Sequence, residues 1–131
     1  MTRILRIDAS PRPGRAGTDP HGSLTRRLTH LFISNWKSLR PDDEVVLRDV
    51  GLAPPKIVGR EWIEAAFATP DRHEPWMEAA LAESDALVEE VLAADVLLIG
   101  VPLYNFGMPA NLKAWIDNIV RLDRTVAYDP T

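Results

Sequence analysis

Val96-Leu97-Leu98-Ile99-Gly100-Val101-Pro102-Leu103-Tyr104-Asn105-Phe106-Gly107-Met108-Pro109 is the stretch whose reading decides the fold. Its first six residues carry no polar side chain, the pattern of a parallel strand covered on both faces. A turn rich in Pro and Gly follows, and Asn111 to Val120 then places Leu112, Trp115, Ile116 and Ile119 on one helical face. Strand, turn and helix in that order put Tyr104, Asn105 and Phe106 at the carboxyl end of a strand, where open α/β sheets hold their ligands. Taken alone, the turn reads equally as a plain connection whose Tyr and Phe cover the edge of the core.

Upstream, the elements alternate. Pro75 to Ala94 carries Met77, Leu81, Leu87, Val88, Val91 and Leu92 in a long helical pattern, and Glu61 to Ala68 predicts a short helix ended by Thr69-Pro70. Glu44 to Val50 reads as a second strand and Ile4 to Ala9 as the first. Between them Leu24, Leu28, Leu31 and Phe32 recur at helical spacing up to Trp36 and predict one buried stripe. Arg40-Pro41-Asp42 ends that helix, because Pro disfavours helical geometry in the residue before it. Ser10 to Gly22 is expected to be a structureless loop, a kind that is uncommon and often functional. The order strand, helix, strand, helix, helix, strand, helix implies right-handed crossovers. The fold class is therefore α/β, a doubly wound parallel sheet with helices on both faces, read with strand order 2-1-3. Such sheets usually have about five or six strands. Residues 1–131 are thus read as a single domain truncated at its carboxyl end.

Composition narrows the chemistry. A net charge of −4 over 131 residues gives no electrostatic footprint for nucleic acid or an anionic membrane. No Cys is present, which excludes disulfides, thiolate catalysis and zinc–thiolate sites. The amino terminus, Met1-Thr2-Arg3-Ile4-Leu5-Arg6, becomes charged too early for a secretory signal, so a cytoplasmic location is expected. His21, His30 and His73 lack metal-ligand spacing. Asp42-Asp43-Glu44 and Glu89-Glu90 read as solvated charge rather than a catalytic carboxylate pair. Trp115 falls at core spacing, and Trp62 lies where it could help cover a pocket.

Ser10 closes the first strand, and Ser23-Leu24-Thr25 opens the first helix. A helix start offers unpaired N–H groups and partial positive charge, a seat for phosphate. Ser23 could equally serve only as the cap of that helix. No G-x-G-x-x-G and no Gly-Lys-Ser/Thr phosphate loop follows the first strand, which argues against dinucleotide and nucleoside-triphosphate sites. In a 2-1-3 sheet the Tyr104 turn lies beside the Ser10 and Ser23 segments. A flat, partly apolar ligand with a phosphate tail would bridge them, and flavin mononucleotide (FMN) has that shape.

Four segments in order carry a family resemblance: Ile4 to Ser10; Ser23-Leu24-Thr25-Arg26-Arg27-Leu28; Ser84 to Val91 with Ala93-Ala94-Asp95; and Pro102 to Pro109 with Leu112-Lys113-Ala114-Trp115-Ile116-Asp117. Together they resemble the amino-terminal two-thirds of the FMN-dependent NADH:azoreductase family, a branch of the flavodoxin-like NAD(P)H:quinone reductases. The resemblance implies that Ser10, Ser23, Leu24 and Thr25 hold the phosphate and ribityl end of FMN. Pro102, Leu103, Tyr104, Asn105 and Phe106 would line its ring. It further implies a homodimer, NADH or NADPH as electron donor, a quinone or azo compound as acceptor, and a ping-pong reaction in which no side chain is assigned as acid, base or nucleophile. A flavodoxin-type electron carrier is the alternative, although its T-x-T-G-x-T loop is absent after the first strand.

Two departures from the family stand out. Thr125-Val126-Ala127-Tyr128 lacks an aromatic that relatives place near the substrate. The family's later strands are missing, which would leave the third strand as an open edge. The 131-residue chain by itself is therefore expected to bind FMN weakly or not at all unless another chain covers that edge, and a truncated, non-catalytic remnant is the corresponding alternative.

Overall fold

The computed structural model describes residues 1–131. Strand β1 (Arg3–Asp8) lies between β2 (Glu44–Asp49) and β3 (Val96–Gly100), all parallel, in the order β2-β1-β3. Helices α1 (Leu24–Leu39), α2 (Arg60–Ala66), α3 (Pro75–Leu92) and α4 (Ala110–Ile119) connect and follow them. The expected elements are all present, with ends displaced by one to three residues. A 3-10 turn, Pro70–Arg72, was not anticipated; it bridges α2 to α3, whose first residue is Pro75. Proline suits that position because its missing N–H would have no helical partner there. No helix is long and apolar enough to cross a membrane.

Strand alternation sorts the side chains into two layers. Leu5, Ile7 and Ala9 of the central strand segment face α3 and α4, packing with Val50, Leu87, Leu112 and the buried Trp115. The opposite face of β1, built from Arg6 and Asp8 as well as Ile4, meets α1. The inner face of α1 is accordingly polar: Arg26 and Thr29 are its buried residues.

Two expectations fail here, each for its own reason. The stripe Leu24, Leu28, Leu31 and Phe32 is not buried; Leu24 is 62% and Leu28 57% exposed. The charged ends of β1 and β2 draw the polar positions of α1 inward and turn the apolar stripe to solvent. Nor is β3 covered on both faces. Leu97 pairs in register with Leu5 and Ile99 with Ile7, and so points toward the α3–α4 layer. Yet Leu97 is 45% and Ile99 39% exposed, because β3 is an edge strand and α4 covers it incompletely.

Glycine matters where backbones close on one another. A Cβ on Gly51 would lie 2.0 Å from the Ser10 carbonyl oxygen, so the segment after β2 can press on the segment after β1 only without a side chain.

The register makes a direct comparison possible. Leu5→Ala is expected to cost about 2–5 kcal/mol of unfolding free energy. The same change at its exposed register partner, Leu97→Ala, is expected to cost less than about 1 kcal/mol. Urea denaturation of both variants checks this, and equal losses would contradict the assignment of β3 as a half-uncovered edge.

Candidate functional site

The carboxyl ends of the strands finish level with one another. Asp8 is in register with both Asp49 and Gly100, the Ala9 amide donates to the Gly100 carbonyl at 3.0 Å, and the Gly51 amide donates to the Asp8 carbonyl at 3.0 Å. Gly100 is close-packed on α1, since a Cβ there would meet the Thr29 methyl at 2.9 Å. On the other side of the sheet, the Asn111 side-chain amide at the start of α4 donates to the Ala9 carbonyl at 3.3 Å. The starts of α1 and α4 therefore flank one end of one sheet.

At the α1 start, Ser23 is the N-cap, its hydroxyl accepting from the Arg26 amide at 3.2 Å. The capping role of Ser23 is thus present in the structure. Its hydroxyl also lies 3.0 Å from that of Thr25. The backbone N–H groups of Leu24 and Thr25 have no hydrogen-bond partner in the protein, as expected of a first helical turn. Ser10 and Ser23 are buried, Ser10 to 2% exposure, whereas Thr25 is half-buried and Leu24 exposed. The Ser10 hydroxyl accepts from the Arg12 amide at 3.2 Å.

The segment between these serines is more ordered than its composition suggested. The Ser23 amide donates to the Gly14 carbonyl at 2.7 Å, the Ala16 amide to the Ser23 carbonyl at 3.0 Å, and the Arg15 amide to Asp19 Oδ2 at 2.8 Å. A compact loop held by its own backbone replaces the expected structureless one.

The turn after β3 is reciprocal and tight. The Tyr104 and Gly107 amides each donate to the other's carbonyl at 2.9 Å. The two residues between them, Asn105 and Phe106, have φ of 49° and 65°. Asn tolerates the left-handed region, but a bulky aromatic there costs about 1–3 kcal/mol. Phe106 is 98% exposed, so no packing within the chain offsets that strain. Pro102 is half-buried, and Leu103, Tyr104 and Asn105 are exposed.

Beneath the α1 start lies a charged cluster that pattern reading missed. Arg26 forks onto Asp49, Nη1 to Oδ2 at 2.7 Å and Nη2 to Oδ1 at 2.8 Å, and Nη2 also donates to the Ser10 carbonyl at 2.7 Å. Asp8 accepts from the Thr29 hydroxyl at 2.8 Å and ion-pairs with Arg6 at 2.7 Å. Burial pushes the Asp49 carboxyl up, but the Arg26 guanidinium and the Leu52 and Gly51 amides outweigh it and hold it below the usual carboxylate range. Hydrogen bonding to Asp49 correspondingly raises Arg26, against its desolvation. The available signals were Asp8 at the end of an apolar strand and the adjacent pair Arg26-Arg27.

A cavity of about 1120 Å³ lies elsewhere, between α2 and α3, lined by Trp62, Trp76 and Asn118 among others. Trp62 does line a pocket, but none of the expected binding residues borders it. Lys113 pairs with Asp117 at 2.5 Å on the exposed side of α4.

Open α/β proteins hold their ligands at the carboxyl edge of the sheet, and here that edge carries a helix start and a strained aromatic turn. Residues 2–131 match the flavodoxin-like fold family, and the chain belongs to it. Among curated proteins it is 43% identical over 129 residues to FMN-dependent NADH:quinone oxidoreductase 2 of Idiomarina loihiensis, covering 98% of this chain and 54% of that protein. It is 50% identical over 127 residues to FMN-dependent NADH:quinone oxidoreductase of Opitutus terrae, covering 97% and 56%. The crystal structure of an azoreductase from Bacillus anthracis superposes with a TM-score of 0.82 at 28% identity, over 99% of this chain and 61% of that one. The chain thus spans little more than half the length of the curated relatives it matches. The expected family resemblance and the 2-1-3 flavodoxin-like fold both hold.

Strain at the turn has a measurable consequence. Phe106→Gly is expected to raise stability by about 1 kcal/mol, since glycine adopts positive φ freely. Thermal or urea denaturation checks this; a destabilised variant would mean that the ring is held by contacts the structure does not show.

Proposed function

We propose that this chain forms the FMN-binding part of an oxidoreductase that passes electrons from NADH or NADPH to quinones or azo compounds. The observation that carries the reading is a juxtaposition. Two unpartnered amides, of Leu24 and Thr25, open a helix at the same sheet end as a strained, solvent-exposed aromatic turn. Unpaired N–H groups at a helix start suit a phosphate, and an exposed aromatic in a costly backbone conformation suits a flat apolar ring.

The residues fit that cofactor. The hydroxyls of Ser10, Ser23 and Thr25 and the amides of Leu24 and Thr25 would hold its phosphate. The carboxylates nearby do not oppose it, because Asp49 and Asp8 are already paired with Arg26 and Arg6. Pro102, Leu103, Tyr104 and Phe106 would wall the ring and exclude water, and the Asn105 amide would meet its polar edge. When bound, FMN would supply the two-electron redox chemistry that links NAD(P)H to the acceptor, in a ping-pong order. The family resemblance supports a homodimer and a cytoplasmic location, with residues 1–131 as a single domain.

The uncovered β3 edge favours a second reading for the 131-residue chain alone. With Leu97 and Ile99 in solvent beside the ring wall, the chain would bind FMN with modest affinity and act as a truncated, non-catalytic remnant. A flavodoxin-type electron carrier is the third reading, and it would take electrons singly.

Titrating the chain with FMN is expected to quench flavin fluorescence saturably, at micromolar concentrations or above. Thr25→Val removes a hydrogen bond to a charged group, worth about 1.5–3 kcal/mol, and should weaken binding at least about tenfold. Unchanged affinity in that variant would contradict the phosphate assignment. Adding NADH with menadione or methyl red then separates the readings: turnover supports the reductase, and flavin binding without turnover supports the remnant or the carrier.

A further inference from the structure

Arg26 sits behind the proposed phosphate seat rather than in it. Its side chain is only 6% exposed. Three segments meet on it. Its amide is capped by Ser23 at the start of α1, its Nη2 holds the Ser10 carbonyl after β1, and both terminal nitrogens hold Asp49 at the end of β2. Asp49 in turn accepts from the Leu52 amide at 3.0 Å, securing the segment that follows β2. The planar fork matters: a guanidinium can engage a carboxylate with two nitrogens and still direct one of them to a third acceptor.

We propose that Arg26 is a positioning residue for the anionic end of the ligand, a role that rests on the phosphate seat proposed above. By fixing the Ser10 carbonyl relative to the first turn of α1, the Arg26–Asp49 fork sets the spacing between the Ser10 hydroxyl and the Leu24 and Thr25 amides. The fork neither touches the phosphate nor lends it charge, since Asp49 neutralises it. Its effect is therefore geometric and confined to phosphate-bearing ligands. Riboflavin, which has the same ring and ribityl chain without the phosphate, would be indifferent to it.

Arg26→Lys keeps the positive charge between Asp8 and Asp49 but has no planar fork, so an ammonium cannot reproduce the three contacts. The expected result is a loss of about tenfold in FMN affinity, with riboflavin affinity held within about twofold. Asp49→Asn, which weakens the other half of the fork, should move the FMN-to-riboflavin ratio in the same direction, and it carries the test should Arg26→Lys fail to fold by circular dichroism. Thr29→Val is the control: it removes the hydrogen bonds to Asp8 and to the Arg26 backbone carbonyl but leaves the guanidinium contacts to Ser10 and Asp49 in place, so it should lower stability and leave the ratio unchanged.

The outcomes separate cleanly. A folded Arg26→Lys or Asp49→Asn chain with the wild-type ratio overturns the positioning role alone. Equal weakening of FMN and riboflavin also overturns it, leaving Arg26 a purely structural residue. A wild-type chain that does not prefer FMN to riboflavin removes the phosphate seat itself, and the positioning role with it.

Discussion

A buried guanidinium is what the carboxyl end of this sheet is built around. Arg26 joins the first turn of α1, the segment after β1 and the end of β2, and it does so in a volume from which water is largely excluded. Burying such charges costs several kcal/mol per ion, and their mutual attraction offsets this only when geometry is good and the remaining polar atoms are satisfied. Here Asp49 accepts from two guanidinium nitrogens and from the Leu52 amide, and Asp8 takes the Thr29 hydroxyl and the Arg6 pair, but Arg26 Nε and Arg6 Nε are buried without a hydrogen-bond partner. The cluster adds little net stability by that reckoning, and apolar residues could fill the same space. What it does is tie three chain segments together through one side chain.

The orientation of α1 follows from this constraint. A helix that must present Arg26 and Thr29 to the sheet cannot also bury Leu24, Leu28, Leu31 and Phe32, which lie around the cylinder from them. The apolar face consequently looks outward, as Leu97 and Ile99 do on the other side of the sheet at the β3 edge. Exposed apolar area on this scale marks surfaces that pack against something. The chain also spans little more than half the length of its curated relatives. The core under α3 and α4, by contrast, closes on itself through Trp115, Leu87 and Val50.

How far the sequence revealed this depended on whether local pattern and tertiary packing agreed. β1, α3 and α4 were legible because their apolar periodicity matches their burial, whereas the apolar run of β3 marked a strand without revealing that it is a half-exposed edge. The stripe on α1 was misread because periodicity reports which residues are apolar, not which face the sheet will accept; only the charges at Asp8 and Asp49, far away in sequence, decide that. The Tyr104 turn could be placed at a strand end from composition, yet the left-handed backbone of Phe106 could not, since nothing in the residue type calls for it. Arg26 was visible only as half of a basic pair, and its role depends on Ser10 and Asp49, 16 and 23 residues away.

The account's central claim is one of place: phosphate at the α1 start, ring at the Tyr104 turn, both at the carboxyl end of the sheet. A crystal structure of the chain soaked with FMN tests it most directly. The prediction is phosphate density within hydrogen-bond distance of the Leu24 and Thr25 amides, with the flavin ring against Leu103 to Phe106. Flavin density in the cavity between α2 and α3, beside Trp62 and Trp76, with none at the α1 start, would contradict it.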